Sequence, residues 1–333
     1  MSLGLVIPGL LGERAAYARF TRRGPWSCGG AFRILPTADG HLGLSLARPS
    51  DEELLPALIE GEVDDAWSAA GAWAAARSTR EAADRVALLS LPGGAVPDPD
   101  RTSRPGIVTT VLGRRIPTAR PLVVDLTSLW AGPLCAHLLG LQGARIIKAE
   151  SRQRPDGARR GPAGFFRLLH DGHEQVVLDF ATETDRLREL IRDADLVIES
   201  SRPRALRQLG IVAEDAVEAG TSWLSVTARG RHENAVGFGD DVAACAGLFV
   251  REGGVLLPVG DAIADPLTGV TAAVAATAAL QSTEARLIDV SMLHVTAETV
   301  DDTAIPHEVV RHRGSWWAEY DKGRARIEEP RPR

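Results

Sequence analysis

Apolar residues recur along this chain in two rhythms, and the change between them divides it. In the first ninety or so residues, FRILPTADGHLGLSLARP sets two short alternating runs around Ala38-Asp39-Gly40, the pattern of a hairpin. SDEELLPALIEG follows as a predicted helix, with Ser50 as its N-cap and acidic residues in its first turn. Two further helices are predicted over residues 65–76 and 79–89. Together these make a small α+β domain, residues 1–100, without a cluster of catalytic residue types.

The stretch PGGAVPDPDRTSRPG is rich in turn formers, so residues 101–120 read as an exposed linker. Beyond it, short continuous apolar runs alternate with helical stretches: PLVVDL, LCAHLLGLQGA, RIIKAE, then VVLDF, TDRLRELIRDA, DLVIES and WLSVTA. That alternation predicts an α/β fold over residues 121–295, a doubly wound, mostly parallel, Rossmann-like sheet. Ligands of such sheets collect at the carboxyl ends of the strands. Here those ends are SLWAGP, ESRQRPDG, ESSRPR and ARGRHE, and three of the four carry arginines suited to a phosphate-bearing ligand. Residues 296–333 form a polar tail, expected to dock through Trp316 and Trp317 and to fray at its Pro/Arg-rich end.

Composition narrows the class. A net charge of −6 and a pI near 5.8 give no sign of a nucleic-acid or anionic-membrane partner. Only Lys148 and Lys322 are lysines among the 38 basic residues, which fits a codon bias rather than a binding surface. Cys28, Cys135 and Cys245 are odd in number and far apart, as expected in a reducing compartment. The opening MSLGLVIPGLLGER lacks a secretory pattern, and the apolar run 269–280 is too short to span a bilayer, so a soluble cytoplasmic protein is expected. No G-x-G-x-x-G follows PLVVDL, and there is no Walker loop, H-E-x-x-H or G-x-S-x-G elbow. His170 and His173 read as surface or supporting residues; no metal and no permanently bound cofactor are expected.

The most suggestive feature is VGDAIADPLTGVTAAVAATAAL. Asp265 precedes Pro266 at the head of a helix of very small residues, an N-cap pattern. The positive end of the helix dipole would hold that carboxylate ionised, as attack on an activated acyl group requires. An aspartate that merely caps the helix looks the same, and Asp261 is a second candidate.

VVDLTSLWAGPLCAHLLGLQGARIIKAE resembles the opening of family III CoA-transferases, the CaiB/BaiF family, with its strand, A-G-P turn, helix and L-G-A-x-V-I-K-x-E. Four more stretches are similar to family segments in the same order: GFFRLLHDGHEQVVLDF, ADLVIESSRPRALRQLG, GFGDDVAACAGLF and the Asp265 helix. RLIDVSML then resembles the strand that follows it. PTADGHLGLSLARPSDEELLPALIEG resembles the family's small domain, which ordinarily follows the nucleophile helix, so the order here is permuted.

The resemblance implies that Asp265 is the nucleophile of an acyl-CoA:carboxylate CoA-transferase working through an aspartyl-CoA thioester. Its substrates would be acyl-CoA and a carboxylic acid. It implies that coenzyme A lies against Ser128, Leu129, Trp130 and Ala131, with Leu178 as an apolar contact. Ser200, Ser201 and Arg202 fall at the family's E-N-x-x-P-G stretch, and Arg152, Arg202 and Arg207 are candidates for the CoA phosphates. It also implies a homodimer. The family's N-x-x-K is replaced here by His170-Asp171-Gly172-His173, and its glycine-rich loop has a counterpart only in Gly29-Gly30. Racemases of the family carry a histidine in a G-H-D segment; Gly237-Phe238-Gly239-Asp240 has none, and His232 is the nearest substitute. A copy that binds CoA without turnover is the third reading.

Overall fold

A computed structural model describes residues 7–301 and 307–327. The chain opens with α1 (Ile7–Ala18), then the hairpin β1 (Phe32–Pro36) and β2 (His41–Ser45), antiparallel from Phe32–Ser45 to Pro36–His41. Four helices follow, α2 (Pro49–Glu52), α3 (Leu55–Ile59), α4 (Ala66–Ala75) and α5 (Thr79–Leu88), and β3 (Gly93–Ala95) closes a three-stranded sheet on β2. The predicted helix from Ser50 is thus two short helices. Pro49 takes the first helical position, so Arg48 becomes the N-cap, and Pro56 sits in the first turn of α3. Asp65 caps α4 through the Ser68 amide, and Ser78 with Glu81 forms a capping box on α5. Leu42, Leu44, Leu55, Leu58, Trp73 and Val86 fill this unit's own core.

The segment read as linker contains β4 (Ile107–Arg114), which pairs antiparallel with a late strand. Turn formers end at Gly106, and the β-branched run Ile-Val-Thr-Thr-Val after them suits an edge strand. The large unit then runs β5 (Leu122–Asp125), α6 (Ala131–Leu141), β6 (Arg145–Ser151), α7 (Ala163–His170), β7 (Glu174–Leu178), α8 (Thr184–Asp193), β8 (Leu196–Glu199), α9 (Pro203–Arg207), α10 (Ala213–Glu218) and β9 (Ser222–Thr227). After α11 (Gly239–Cys245) comes a small hairpin, β10 (Phe249–Glu252) and β11 (Val255–Pro258). Next are α12 (Ala264–Leu280), β12 (Glu284–Ser291) and α13 (Met292–Ala297).

The main sheet has the order β4-β12-β9-β8-β5-β6-β7, parallel except at β4. Both faces are covered, so consecutive residues bury in opposite directions. Val123 joins the α6–α12 core and Val124 the core formed with Leu187, Ile191 and Trp223. This is the expected doubly wound α/β fold.

The tail forms a three-stranded antiparallel sheet, β13 (Glu308–His312), β14 (Ser315–Tyr320) and β15 (Gly323–Ile327). Its tryptophans lie against the sheet's own arginines, Arg311 at 5.8 Å from the Trp316 ring and Arg324 at 4.6 Å from that of Trp317. The Pro/Arg-rich end lies outside the described residues. Among the described residues no helix is long and apolar enough to cross a membrane.

Candidate active site

The small residues of α12 explain where Asp265 sits. A Cβ on Gly269 would lie 2.7 Å from the Ala131 carbonyl oxygen and 3.0 Å from Leu134, so the absence of one lets α12 press against the start of α6. That contact brings Asp265 beside the turn that follows β5, where the Ala131 amide faces its carboxylate. On the other side lies Gly239, at the start of α11. Three chain segments distant in sequence therefore meet at one carboxyl group.

Asp265 is not the N-cap that the sequence suggested. Its helix begins at Ala264, the cap position is Ile263, and the Asp265 N–H itself donates to the Ala262 carbonyl at 2.9 Å. Nor does the helix dipole hold the carboxyl in its ordinary range. Burial pushes it up to about 7, with the charges of Asp240 and Asp261 in the same direction, while Arg14 and the Ala131 amide oppose them.

Arg14 is the residue the sequence reading missed. It projects from α1 and holds the buried Asp261 through Nε at 2.9 Å and through Nη2. Its guanidinium lies 5.5 Å from the Trp130 ring and 6.0 Å from that of Phe20. Ser27 faces Asp240, and Cys28 faces Asp261 and reaches the Gly260 carbonyl at 3.5 Å. The Cys28 thiol is pushed up to about 12, by burial first and then by these carboxylates. The N-terminal segment, expected to be poor in functional groups, thus supplies part of the site. Nothing in α1 read alone marks Arg14; only folding against α12 does.

The predicted CoA-side residues fall into three groups. Ser128 and Leu129 are exposed on the turn after β5, while Trp130 and Ala131 are buried beneath it. Leu129 has φ 74°, a left-handed conformation held by its N–H on Asp156 at 2.9 Å. Trp130 Nε1 is enclosed without a hydrogen-bond acceptor among the described residues. Beneath the turn, fully buried Lys148 lies 3.5 Å from Asp125 and 3.2 Å from Asp156 and donates to the Thr127 carbonyl. His170 belongs to this layer rather than to the surface, and its imidazole is pushed down to about 4, first by burial and then by Lys148. No cluster of potential metal ligands occurs among the described residues.

The second group is at the end of β8. Ser200 is exposed, and Ser201 donates to buried Glu199 at 2.9 Å. Arg202 reaches Ser90 at 3.4 Å and shares its surroundings with Arg204, Arg48 and Arg154. Burial and those three charges lower its pKa. A cationic cluster is present; Arg154 comes from ESRQRPDG, another of the arginine-bearing strand ends, whereas Arg48 comes from the N-terminal unit, which the sequence did not connect to it.

The third group lies elsewhere. Leu178 is wholly buried in the sheet core, because the last residue of β7 faces inward toward α8. Arg152 is two-thirds exposed and 3.7 Å from Glu183, and Arg207 pairs with Glu214 at 2.9 Å. Their side chains follow the nearest carboxylate, a local choice that strand-end position does not reveal. His232 is exposed, facing Glu233 and Arg104.

A cavity of about 1080 Å³ opens between α5, β3 and the loop after β9, lined among others by Ser90, Gly94, Arg204 and Arg229. It adjoins the arginine cluster at Arg204 and does not include Asp265.

Residues 121–317, more than half of the chain, match CoA-transferase family III. The chain belongs to that family. Among relatives, it is 35% identical over 102 residues to the acetyl-CoA:oxalate CoA-transferase of Acetobacter aceti, covering 28% of this chain and 26% of that one. It is 25% identical over 218 residues to the succinyl-CoA–D-citramalate CoA-transferase of Chloroflexus aurantiacus, covering 58% and 54%. The chain thus spans about a quarter to about half of these relatives' lengths. A crystal structure of a CaiB/BaiF family protein from Brucella suis superimposes with a TM-score of 0.55 at 20% identity, over 62% of this chain and 66% of that one, and shares the fold. Asp265, Ala131 and Gly239 lie within the matched segment, and Arg14 lies outside it.

Proposed function

We propose that this protein is an acyl-CoA:carboxylate CoA-transferase whose nucleophile is Asp265. The observation that carries the reading is a carboxyl group at the head of α12, held between the Ala131 amide and Gly239, within the family segment. An Asp265 oxygen attacks the thioester carbonyl, the C–S bond breaks, and CoA leaves as thiolate, giving a mixed anhydride. The thiolate then attacks the aspartyl carbonyl, releasing the donor carboxylate and forming the aspartyl-CoA thioester. An acceptor carboxylate attacks that carbonyl, displacing thiolate again. Attack of the thiolate on the acceptor's acyl carbonyl gives the new acyl-CoA and restores Asp265. No net proton is exchanged, and each step replaces one difficult displacement by an easier one.

The Ala131 N–H is aimed at the carboxyl where oxyanion charge develops. The turn 128–131 and the cluster of Arg202, Arg204 and Arg154 offer a surface for the nucleotide end of CoA, while Arg48 in the same cluster is paired with Asp51. Coenzyme A is substrate here, with no resident cofactor. A homodimer in the cytoplasm belongs to the same reading; the three cysteines, all unpaired, suit a reducing compartment. The racemase reading has less support, because position 239 is a glycine packed on Asp265 and Asp240 follows it without a histidine.

The test is intact-protein mass spectrometry after incubation with a panel of acyl-CoAs and hydroxylamine, comparing wild type with Asp265→Ala. A hydroxamate on the wild type alone is expected. Absence of any adduct while CoA still binds removes the covalent mechanism for that panel. Light scattering during chromatography checks the dimer.

A further inference from the structure

Three carboxylates converge where α11 and α12 begin. Asp240 accepts from the Ala262 N–H at 2.8 Å and faces Ser27, Asp261 is 2% exposed, and Asp265 stands between them and α6. Like charges so close disfavour one another's ionisation, and burial strengthens the effect. Asp240 and Asp265 are both raised, burial being the first cause for each. The groups facing Asp265 are Arg14 from α1, Asp240 from α11, Asp261 from the loop before α12 and the Ala131 amide from α6. The Cys28 thiol borders Asp261 and stays neutral.

Arg14 is the guanidinium in that set, and its placement is determined from two sides. Asp261 grips it through two nitrogens, and the faces of Trp130 and Phe20 lie 5.5 and 6.0 Å away. A planar fork clamped by a carboxylate and laid near an aromatic ring has little freedom to swing away. Trp130 is itself the residue before Ala131, whose amide faces Asp265, so the same turn places both the cation and the amide.

We propose that Arg14, on a helix outside the family-matched segment, is a positioning residue for Asp265. Clamped by Asp261 beside Trp130, its guanidinium supplies the positive charge that favours the anionic form of the nucleophile beside two other carboxylates. This rests on Asp265 being the reacting group. It assigns a catalytic contribution to the N-terminal helix, which family membership does not supply.

Two readouts test it, and they fail separately. The first follows the Asp265 carboxyl by carbon NMR in protein labelled at the aspartate side chains, with its resonance assigned by Asp265→Asn. In Arg14→Ala its titration should move upward by about one pH unit or more, the effect of losing a neighbouring opposite charge. Arg14→Lys, which keeps the charge and loses the fork, should fall between that and wild type. Asp261→Asn, which removes a like charge, should move it downward. The second readout is the yield of the Asp265 hydroxamate against pH, whose acid limb should shift in the same directions. Folded Arg14→Ala protein with an unchanged titration overturns the proposal. If Arg14→Ala does not fold, an upward displacement in Arg14→Lys supports it, and an unmoved titration there overturns it. If the titrations move while no acyl-CoA labels Asp265, Arg14 governs the carboxyl and the transferase reading is what fails.

Discussion

Gly239 lies so close to Asp265 that a Cβ at position 239 would be 2.3 Å from the Asp265 Oδ2 atom. The same Cβ would be 2.3 Å from the Ala262 carbonyl oxygen, which is backbone and cannot step aside alone. A side chain here must push the head of α12 away from α11.

Gly239→Ala should therefore damage chemistry more than folding. Overpacking of this kind costs about 1–3 kcal/mol. A displacement of a reacting group by about 1 Å lowers a reaction by about a hundredfold. Hydroxamate yield and thermal melting measured on the same preparation check this. Wild-type yield from a folded Gly239→Ala protein would show that the close contact has no bearing on Asp265.

Asp241, next to the site, ties the two units together. It is 2% exposed and accepts from the Ser45 hydroxyl at 2.7 Å, and burial pushes its carboxyl up to about 7. The unfolded chain releases this proton near pH 4 and the folded chain holds it until about 7. Stability from this group is full below the lower value and declines as pH rises between the two, by about 1.4 kcal/mol per unit at most. Asp265 acts in the same direction over the same window. Asp241→Asn should flatten that decline, and denaturant unfolding at pH 4.5, 5.5, 6.5 and 7.5 measures it. Parallel curves for variant and wild type would remove Asp241 as a source of the slope.

Apolar periodicity made the doubly wound sheet legible because parallel strands such as Leu122–Asp125 and Leu196–Glu199 are buried on both faces and read as unbroken runs. It missed the edge strand Ile107–Arg114, which is mostly exposed and sits among turn formers. Asp265 stood out because Asp-Pro before a small-residue helix is a local signal. Its raised pKa and its Arg14 neighbour were not legible, since both come from α1 and α11 folding onto α12. The surroundings of Arg207 and Leu178 were not legible for a similar reason. Motif position names a strand end, whereas Glu214 and the sheet core decide where those two side chains go.

The arginine cluster gives a prediction about CoA itself. Arg202 and Arg204 sit among other cations, while Arg207 is neutralised by Glu214. Replacing Arg202 or Arg204 by alanine should weaken CoA binding by about tenfold each, the size of one charge-assisted contact, and reduce its salt dependence. Arg207→Ala should bind CoA nearly as the wild type does. Calorimetry with CoA and with dephospho-CoA at two salt concentrations separates the cases. Equal losses at positions 202 and 207 would place the phosphates elsewhere.

Lys148 is the support beneath the turn that carries Trp130 and Ala131. Its side chain is fully buried, 3.5 Å from Asp125 and 3.2 Å from Asp156, and it also donates to the Thr127 carbonyl. Asp156 in turn receives the Leu129 N–H, which keeps that residue at positive φ. Lys148→Met fills a similar volume but leaves two buried carboxylates facing each other without a cation. Removing one partner of such a group costs about 3–5 kcal/mol. Adding Asp125→Asn to Lys148→Met removes one of the stranded charges and should recover part of that loss. Urea unfolding of the wild type, the single variant and the double variant measures both effects. A Lys148→Met protein as stable as wild type would mean that the carboxylates simply take up protons, and the turn would then owe its shape to the Asp156–Leu129 bond alone.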